Sequence, residues 1–347
     1  MLTELKVTEL SFRLDKNIGA EGLNSSTFIA QDLQLDAALV IKQVEKAKIP
    51  TDTTYFNEAR LLYLSKHPNV MEIHYGSQDD KHIYLAMPYY KNGSLNALID
   101  RKFLTVREIV QYGLDFLSAL HYIHTKRLIH FDVKPSNIII NDAGKAVLTD
   151  FGLAKLTDEL GFAKTKYVYP THLTPELYLA GSFTSQYDIF QAGLTLYRMC
   201  NGNKEFSEKL KSGLTREEVL SGTFPDRRKF LPHIPNSLRK IIKNALKVDP
   251  NDRYRAILHM MNDLSDISEN LDWRYEIEPT GNIHKWTEET EKSIHSLTLS
   301  ELNGAWKTEG HKFMRSSNNT TKISKWSTTS SSQQEAFTKI EKILNEH

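Results

Sequence analysis

Residues 128–140 read L-I-H-F-D-V-K-P-S-N-I-I-I, residues 141–149 read N-D-A-G-K-A-V-L-T, and residues 150–152 read D-F-G. Two apolar runs, Ile138–Ile140 and Ala146–Leu148, flank the turn cluster Asn141-Asp142-Ala143-Gly144. Short β-branched segments around such a cluster predict a hairpin. The hairpin holds Asp132 and Asn137 just before it and Asp150 just after it, all at one end. One carboxylate to accept a hydroxyl proton, with an Asn and an Asp for hard, oxygen-seeking cations, suits phosphoryl transfer from a nucleotide.

The rest of the chain sets the bounds on that reading. Its 347 residues suffice for one large or two modest domains with a real core. With 40% hydrophobic and 25% charged residues and a net charge of +1, it gives no electrostatic reason to expect nucleic acid or an anionic membrane as partner. The single cysteine, Cys200, excludes an intramolecular disulfide and a thiolate metal cluster, and its apolar helical surroundings make it a packing residue. The opening M-L-T-E-L-K-V-T-E-L lacks a basic region followed by an apolar stretch, so no signal peptide is expected. No apolar run approaches the roughly 18 residues of a membrane-spanning helix. The expectation is a cytoplasmic protein.

The run H-F-D-V-K-P-S-N, the hairpin and the D-F-G that follows resemble the catalytic loop and metal motif of the eukaryotic-type (Hanks-type) protein kinases. The resemblance implies an α+β, bilobal protein-kinase fold. A small β-rich N-lobe would end near residue 87, a hinge would occupy 88–91, and a large helical C-lobe would run from 92 to about 270. It implies ATP and Mg²⁺ as cofactors and the Ser/Thr hydroxyl of a protein as acceptor. Asp132 would be the base and hydroxyl orienter, and Lys134 would neutralise the migrating γ-phosphate. Asn137 and Asp150 would hold Mg²⁺, with His130 supporting the loop.

Upstream, residues 5 to 48 read as strands joined by turns. The stretch I-G-A-E-G-L-N-S-S-T-F from Ile18 to Phe28 can set backbone N–H groups around a phosphate. By resemblance Ile18, Gly19 and Gly22 would line the nucleotide, although Gly22 comes one residue late and Ser26 or its neighbours replace the third glycine of the family pattern. L-V-I-K, ending at Lys42, resembles the kinase V-A-I-K strand. A lysine after a buried run costs several kcal/mol unless paired. The expected partner is Glu58, in the helical stretch Y-F-N-E-A-R-L-L-Y-L; taken alone it would read as a solvated helix charge. Two strands, M-E-I-H-Y-G and H-I-Y-L-A-M, lead into P-Y-Y-K-N-G-S-L. By resemblance Met87 is the gatekeeper, and the Pro88 carbonyl and Tyr90 N–H face the adenine edge. Val40 above and Ile139 below would sandwich the base.

Downstream, apolar residues recur at helical spacing from Thr105 to His124, with His121 and His124 read as structural. No His/Cys/Asp constellation shows transition-metal spacing. Phe131 stands where most family members have the arginine that binds a phosphate on the activation segment. Activity less dependent on phosphorylation there is therefore expected, whatever the fate of Thr165, Tyr167 and Thr171. Y-P-T-H-L-T-P-E-L resembles the close of that segment; Lys134 favours Ser/Thr specificity, while Tyr169 sits where Ser/Thr-specific members place a threonine. By the same resemblance Asp188 braces the catalytic loop, and Arg253 pairs with Glu176 in the buried large lobe.

The resemblance runs from about residue 8 to 268. All four tryptophans, Trp273, Trp286, Trp306 and Trp326, lie beyond it. Residues 271–347 read as a small α+β module, a β-meander closed by a helix, with T-K-I-S-K-W-S among its strand-like pieces. Ser332 and Glu335 would make a capping box, and Ala336, Phe337, Ile340, Ile343 and Leu344 one apolar face. The tryptophans either fill a small core or recruit a partner or substrate. For the whole chain, two alternatives to an active protein kinase are a nucleotide-binding pseudokinase scaffold and a small-molecule kinase of the aminoglycoside or choline type. Lys134, Pro175-Glu176 and Asp188 weigh against the latter.

Overall fold

Alternating apolar and polar residues build the first layer. In the computed structural model, which describes residues 10–19, 25–48, 66–163, 173–179 and 182–347, five strands form an antiparallel sheet. They are β1 (Phe12–Asn17), β2 (Ser25–Asp32), β3 (Ala37–Glu45), β4 (Tyr75–Gln78) and β5 (His82–Pro88), in the order β1-β2-β3-β5-β4. The period of two divides β3 cleanly. Leu39 and Ile41 pack with Ala30 and Ala86 on one face, while Val40 and Lys42 point to the other. The expected strand at 71–76 is displaced to Tyr75–Gln78. Met71 instead donates its N–H to the Leu148 carbonyl and buries its side chain against Met87 and Val147, which ties this segment to the large lobe.

The large lobe is helical. Its elements are α1 (Leu95–Arg101), α2 (Val106–Thr125), α3 (Glu176–Leu179), α4 (Gln186–Asn201), α5 (Lys204–Ser212), α6 (Arg216–Leu220), α7 (Asn236–Ala245) and α8 (Ile257–Ser265). Thr105 and Glu108 form a full capping box at the start of α2, fixing where the helix begins. From Tyr187 to Cys200 every residue of α4 is buried. Gly193 allows this: a Cβ there would sit 2.8 Å from Ala245 Cβ on α7. Two short ladders complete the lobe: β6 (Leu128–Ile129) pairs with β9 (Lys155–Leu156), and β7 (Ile138–Ile140) with β8 (Ala146–Leu148). The hairpin turn is closed by Gly144, at φ +71°.

The last layer is a meander of β10 (Arg274–Ile277), β11 (Ile283–Glu289), β12 (Ser293–Leu302), β13 (Ala305–Met314) and β14 (Asn319–Lys322). β15 (Thr328–Ser330) returns to pair with β13, and α9 (Gln333–Asn345) packs against the sheet. The strand expected through T-K-I-S-K-W-S stops at Lys322, and Ser324–Trp326 form a 3-10 turn. That turn lays Trp326 over Gly310, where a Cβ would come within 2.5 Å of Trp326 Cβ. Trp273, Trp286 and Trp326 are buried in one cluster with Ala336, Ile340 and Leu344, and Trp306 is half-buried against it. The capping box of α9 is only half of the expected one. Ser332 Oγ accepts from Glu335 N at 3.2 Å, but the Glu335 carboxylate reaches Ser331 N and Oγ, each at 2.9 Å.

This layer packs on the large lobe. Phe103 stacks edge-on against Tyr275, with ring centroids 4.7 Å apart, and Leu231 joins the tryptophan cluster. Arg107 makes two 2.7 Å bonds to the Asp272 carboxylate, and Arg239 Nη1 lies 2.8 Å from Glu341 Oε1. Among the described residues, no helix is long and apolar enough to cross a membrane.

The expected Glu176–Arg253 pair is present. Arg253 Nη2 donates to Glu176 Oε2 at 2.9 Å, and the arginine side chain is fully buried. Its remaining N–H groups are taken by the carbonyls of Lys247, Gln186 and Val248. Removing the carboxylate alone leaves a buried cation without its counter-charge. Glu176→Ala should therefore lose about 3–5 kcal/mol of unfolding free energy in a denaturant titration. A change within the ±0.5 kcal/mol or so typical of surface positions would mean that the pair does not hold the lobe together.

Candidate active site

The candidate catalytic loop lies between β6 and β7, and a polar stripe on α4 holds it in place. Asp188, Gln191 and Thr195 recur at helical spacing and face the loop. Asp188 Oδ2 accepts from His130 N at 2.8 Å and Oδ1 from Phe131 N at 2.9 Å. Gln191 Oε1 accepts from Val133 N at 2.9 Å, and its Nε2 donates to the Phe131 carbonyl at 3.2 Å. His124 Nε2 lies 2.7 Å from Asp188 Oδ2, so this histidine braces the brace. Asp188 was legible in the sequence. Gln191 was not picked out, although its position one turn beyond Asp188 on the same helix was a usable signal.

At the tip of this loop stand the acidic and basic groups. Asp132 Oδ2 lies 3.0 Å from Lys134 Nζ and accepts from Asn137 Nδ2 at 2.8 Å. The same amide donates to the Asp132 carbonyl at 2.9 Å, so Asn137 Oδ1 is the atom left for a cation. Burial raises the Asp132 carboxyl above the ordinary carboxylate range, against the lowering pull of Lys134. His130 lies beneath: its Nε2 is 3.1 Å from the Thr149 carbonyl, and its ring meets Phe151 edge-on at 4.7 Å.

Lys42 reaches across from β3 and places Nζ 2.8 Å from Asp150 Oδ1. Burial opposes the charged form of Asp150, but the Lys42 ammonium, with smaller pulls from His130 and Lys134, holds the carboxyl below the ordinary carboxylate range. Asp150 adopts left-handed backbone angles, φ 63° and ψ 69°, as the chain turns from β8 into the short 3-10 turn Phe151–Leu153. Phe151 is buried in the main core. Glu58, the partner expected for Lys42, and Gly22 lie outside the described residues, as do Thr165, Tyr167, Tyr169 and Thr171.

An apolar bed adjoins these charges. Val40, Tyr90 and Ile139 pack against buried Met71, Met87 and Val147, joining the sheet, the hinge and the β7–β8 hairpin. Val40 pairs with Met87, and Leu39 with Pro88, in the β3–β5 register. The hairpin is held to the hinge exit by the Ile140 N–H on the Gly93 carbonyl at 2.9 Å. After β1, Ile18 is 45% exposed, and Gly19 is pressed so close to β2 that a Cβ would meet Thr27 N at 2.8 Å. Lys42, Asp132, Lys134, Asn137 and Asp150 thus meet in one place, beside the apolar bed of Val40, Met87, Tyr90 and Ile139.

Phe131 has a structural role of its own. Its ring is buried, with Phe183 at 5.7 Å and Tyr187 at 5.1 Å between centroids. Ala163 and Phe183 exchange two 2.8 Å backbone hydrogen bonds beside it. Residue 163, after D-F-G, and residue 183, after P-E, are therefore fastened together beside an aromatic ring.

A protein kinase domain model matches residues 12–263 of the chain. The chain is 28% identical over 258 residues to an Aurora kinase of Eremothecium gossypii, covering 73% of this chain and 68% of that protein. It is 26% identical over 260 residues to serine/threonine-protein kinase PrkC of Bacillus subtilis, covering 73% of this chain and 40% of that protein. Against serine/threonine-protein kinase STE20 of Saccharomyces cerevisiae it is 27% identical over 244 residues, 69% of this chain but 26% of that longer protein. The chain thus spans less than half the length of two of these three relatives. The match over most of the chain, on a sheet-and-helix architecture with this cleft, makes the chain a member of the protein kinase family.

Proposed function

We propose that the chain transfers the γ-phosphoryl group of Mg-ATP to serine or threonine hydroxyls of a protein substrate. The observation that carries the reading is the meeting of Lys42, Asp132, Lys134, Asn137 and Asp150 in one cleft beside an apolar bed. Val40 and Ile139 flank the adenine, with Met87 behind it and the backbone of Pro88 and Tyr90 along its edge. Lys42 binds the α- and β-phosphates. Asp132 orients the acceptor hydroxyl and takes its proton, and Lys134 lies close enough to offset charge on the transferring group. Asn137 Oδ1 and the second oxygen of Asp150 are hard donors that would hold Mg²⁺, whose positive charge would offset that of the phosphates.

The surroundings of Phe131 support activity that depends less on phosphorylation of the activation segment. An arginine at this position would need a phosphate to compensate its charge, whereas a buried ring needs only its aromatic neighbours. The buried tryptophans support a core role for residues 271–347 over recruitment through exposed indoles.

The test is transfer of labelled γ-phosphate to the protein itself and to a generic basic substrate, with phosphoamino-acid analysis. Asp132→Ala should lower the rate by about 10²–10⁴-fold, and wild-type label should appear on Ser or Thr. Label on tyrosine alone, or none beside measurable ATP binding, would overturn the assignment. Phosphatase-treated wild type should keep its rate. A fall of about tenfold, some 1.4 kcal/mol of barrier, would instead point to a phosphate-dependent switch.

The pH profile follows from Asp132. A base works ionised, and burial raises its pKa, so the acid limb of kcat should lie above the ordinary carboxylate value of about 4. Lys134→Met removes a lowering influence and should push that limb further up while reducing kcat. A limb that stays put would show that a different group controls it.

A further inference from the structure

Away from the cleft, the tail brings together three side chains that the kinase reading does not use. In the β11–β12 register Glu288 stands directly opposite His295, which puts both on one face of the sheet. His347, two residues past α9, comes down on that face. Glu288 Oε2 lies 3.7 Å from His295 Nδ1 and 3.2 Å from His347 Nε2, and the two imidazole nitrogens are 3.3 Å apart. These distances describe a triangle of potential ligand atoms. A tetrahedral Zn²⁺ with ligands at 2.0–2.1 Å has ligand–ligand edges of about 3.3–3.4 Å, and the three sides bracket that length.

The rings are held from outside. His347 packs edge-on against Trp273 and Trp326, at 5.8 Å and 5.1 Å, and His295 lies 6.0 Å from Trp326. His295 is buried and His347 more open, so a fourth position would face solvent. Lys312, the β13 partner of His295, brings a positive charge to the same face and opposes a cation there. The spacing of Glu288, His295 and His347 in the sequence matches no metal motif, and only the strand register and the end of α9 bring them together.

We propose that Glu288, His295 and His347 form a binding site for a divalent transition-metal ion, with Zn²⁺ the best match to two imidazoles and one carboxylate. The ion staples the segment after α9 to the meander. The proposal stands independently of the kinase reading.

The test is calorimetric titration of ZnCl₂ into the full chain, stripped with chelator and held in excess Mg²⁺ to occupy oxygen-rich sites. One Zn²⁺ per chain should bind, and the melting temperature should rise with the metal. Cobalt(II) should give the visible bands of a tetrahedral centre. His347→Ala, at a more open position, should weaken binding at least as much as the about 10–100-fold seen on losing an outer-shell partner, and should abolish the cobalt bands. Glu288→Gln and His295→Ala should do the same. Lys312→Gln should tighten binding, and His311→Ala should leave it unchanged. No stoichiometric uptake, or uptake that survives His347→Ala in a chain folded by circular dichroism, would overturn the proposal in favour of a plain hydrogen-bonded cluster.

Discussion

The catalytic loop takes its shape from one carboxylate with no solvent contact. Asp188 is fully buried, and such a charge persists only where its lone pairs are filled. Here two consecutive loop N–H groups and His124 fill them. The arrangement constrains both sides. The loop cannot relax without stranding the carboxylate, and α4 cannot turn without releasing the loop. It also holds Phe131 at φ 67°, a backbone state that costs a non-glycine residue of order 1–3 kcal/mol. That twist sends the ring one way into the aromatic cluster and Asp132 the other way into the cleft.

Within the cleft, two acids of similar intrinsic strength are driven apart. Asp150 meets Lys42, which holds its carboxyl below the ordinary carboxylate range. Asp132 is raised by burial despite Lys134, which makes it a better proton acceptor than an ordinary carboxylate. Separating two carboxyl groups by environment is how a site obtains two functions from one kind of side chain.

How much of this the sequence disclosed depended on how local each cause was. That Asp132, Lys134, Asn137 and Asp150 lie together could be read from the sequence because a short hairpin fixes their spacing, and the structure places them around it. The start of α2 was equally local, since Thr105 and Glu108 cap it. β4 was misplaced because Met71 follows a non-local demand, the Leu148 carbonyl, that no window around it reveals. The same limit misjudged β14, where the close contact of Gly310 with Trp326 bends the chain away from a strand. Glu288 and His295 are partners only through register, and register depends on the turn between them as well as on the alternation of side chains.

The tail's contact with the large lobe bears on what counts as a unit in this protein. The match to the family model ends at 263, yet the hydrophobic contacts do not end there. Leu271 lends its carbonyl to the Arg107 N–H in the first turn of α2, and Phe103 and Leu231 are covered by residues after 271. The segment that recurs across the family and the body that packs together therefore have different edges. In this chain, the homologous domain has part of its own surface inside the molecule.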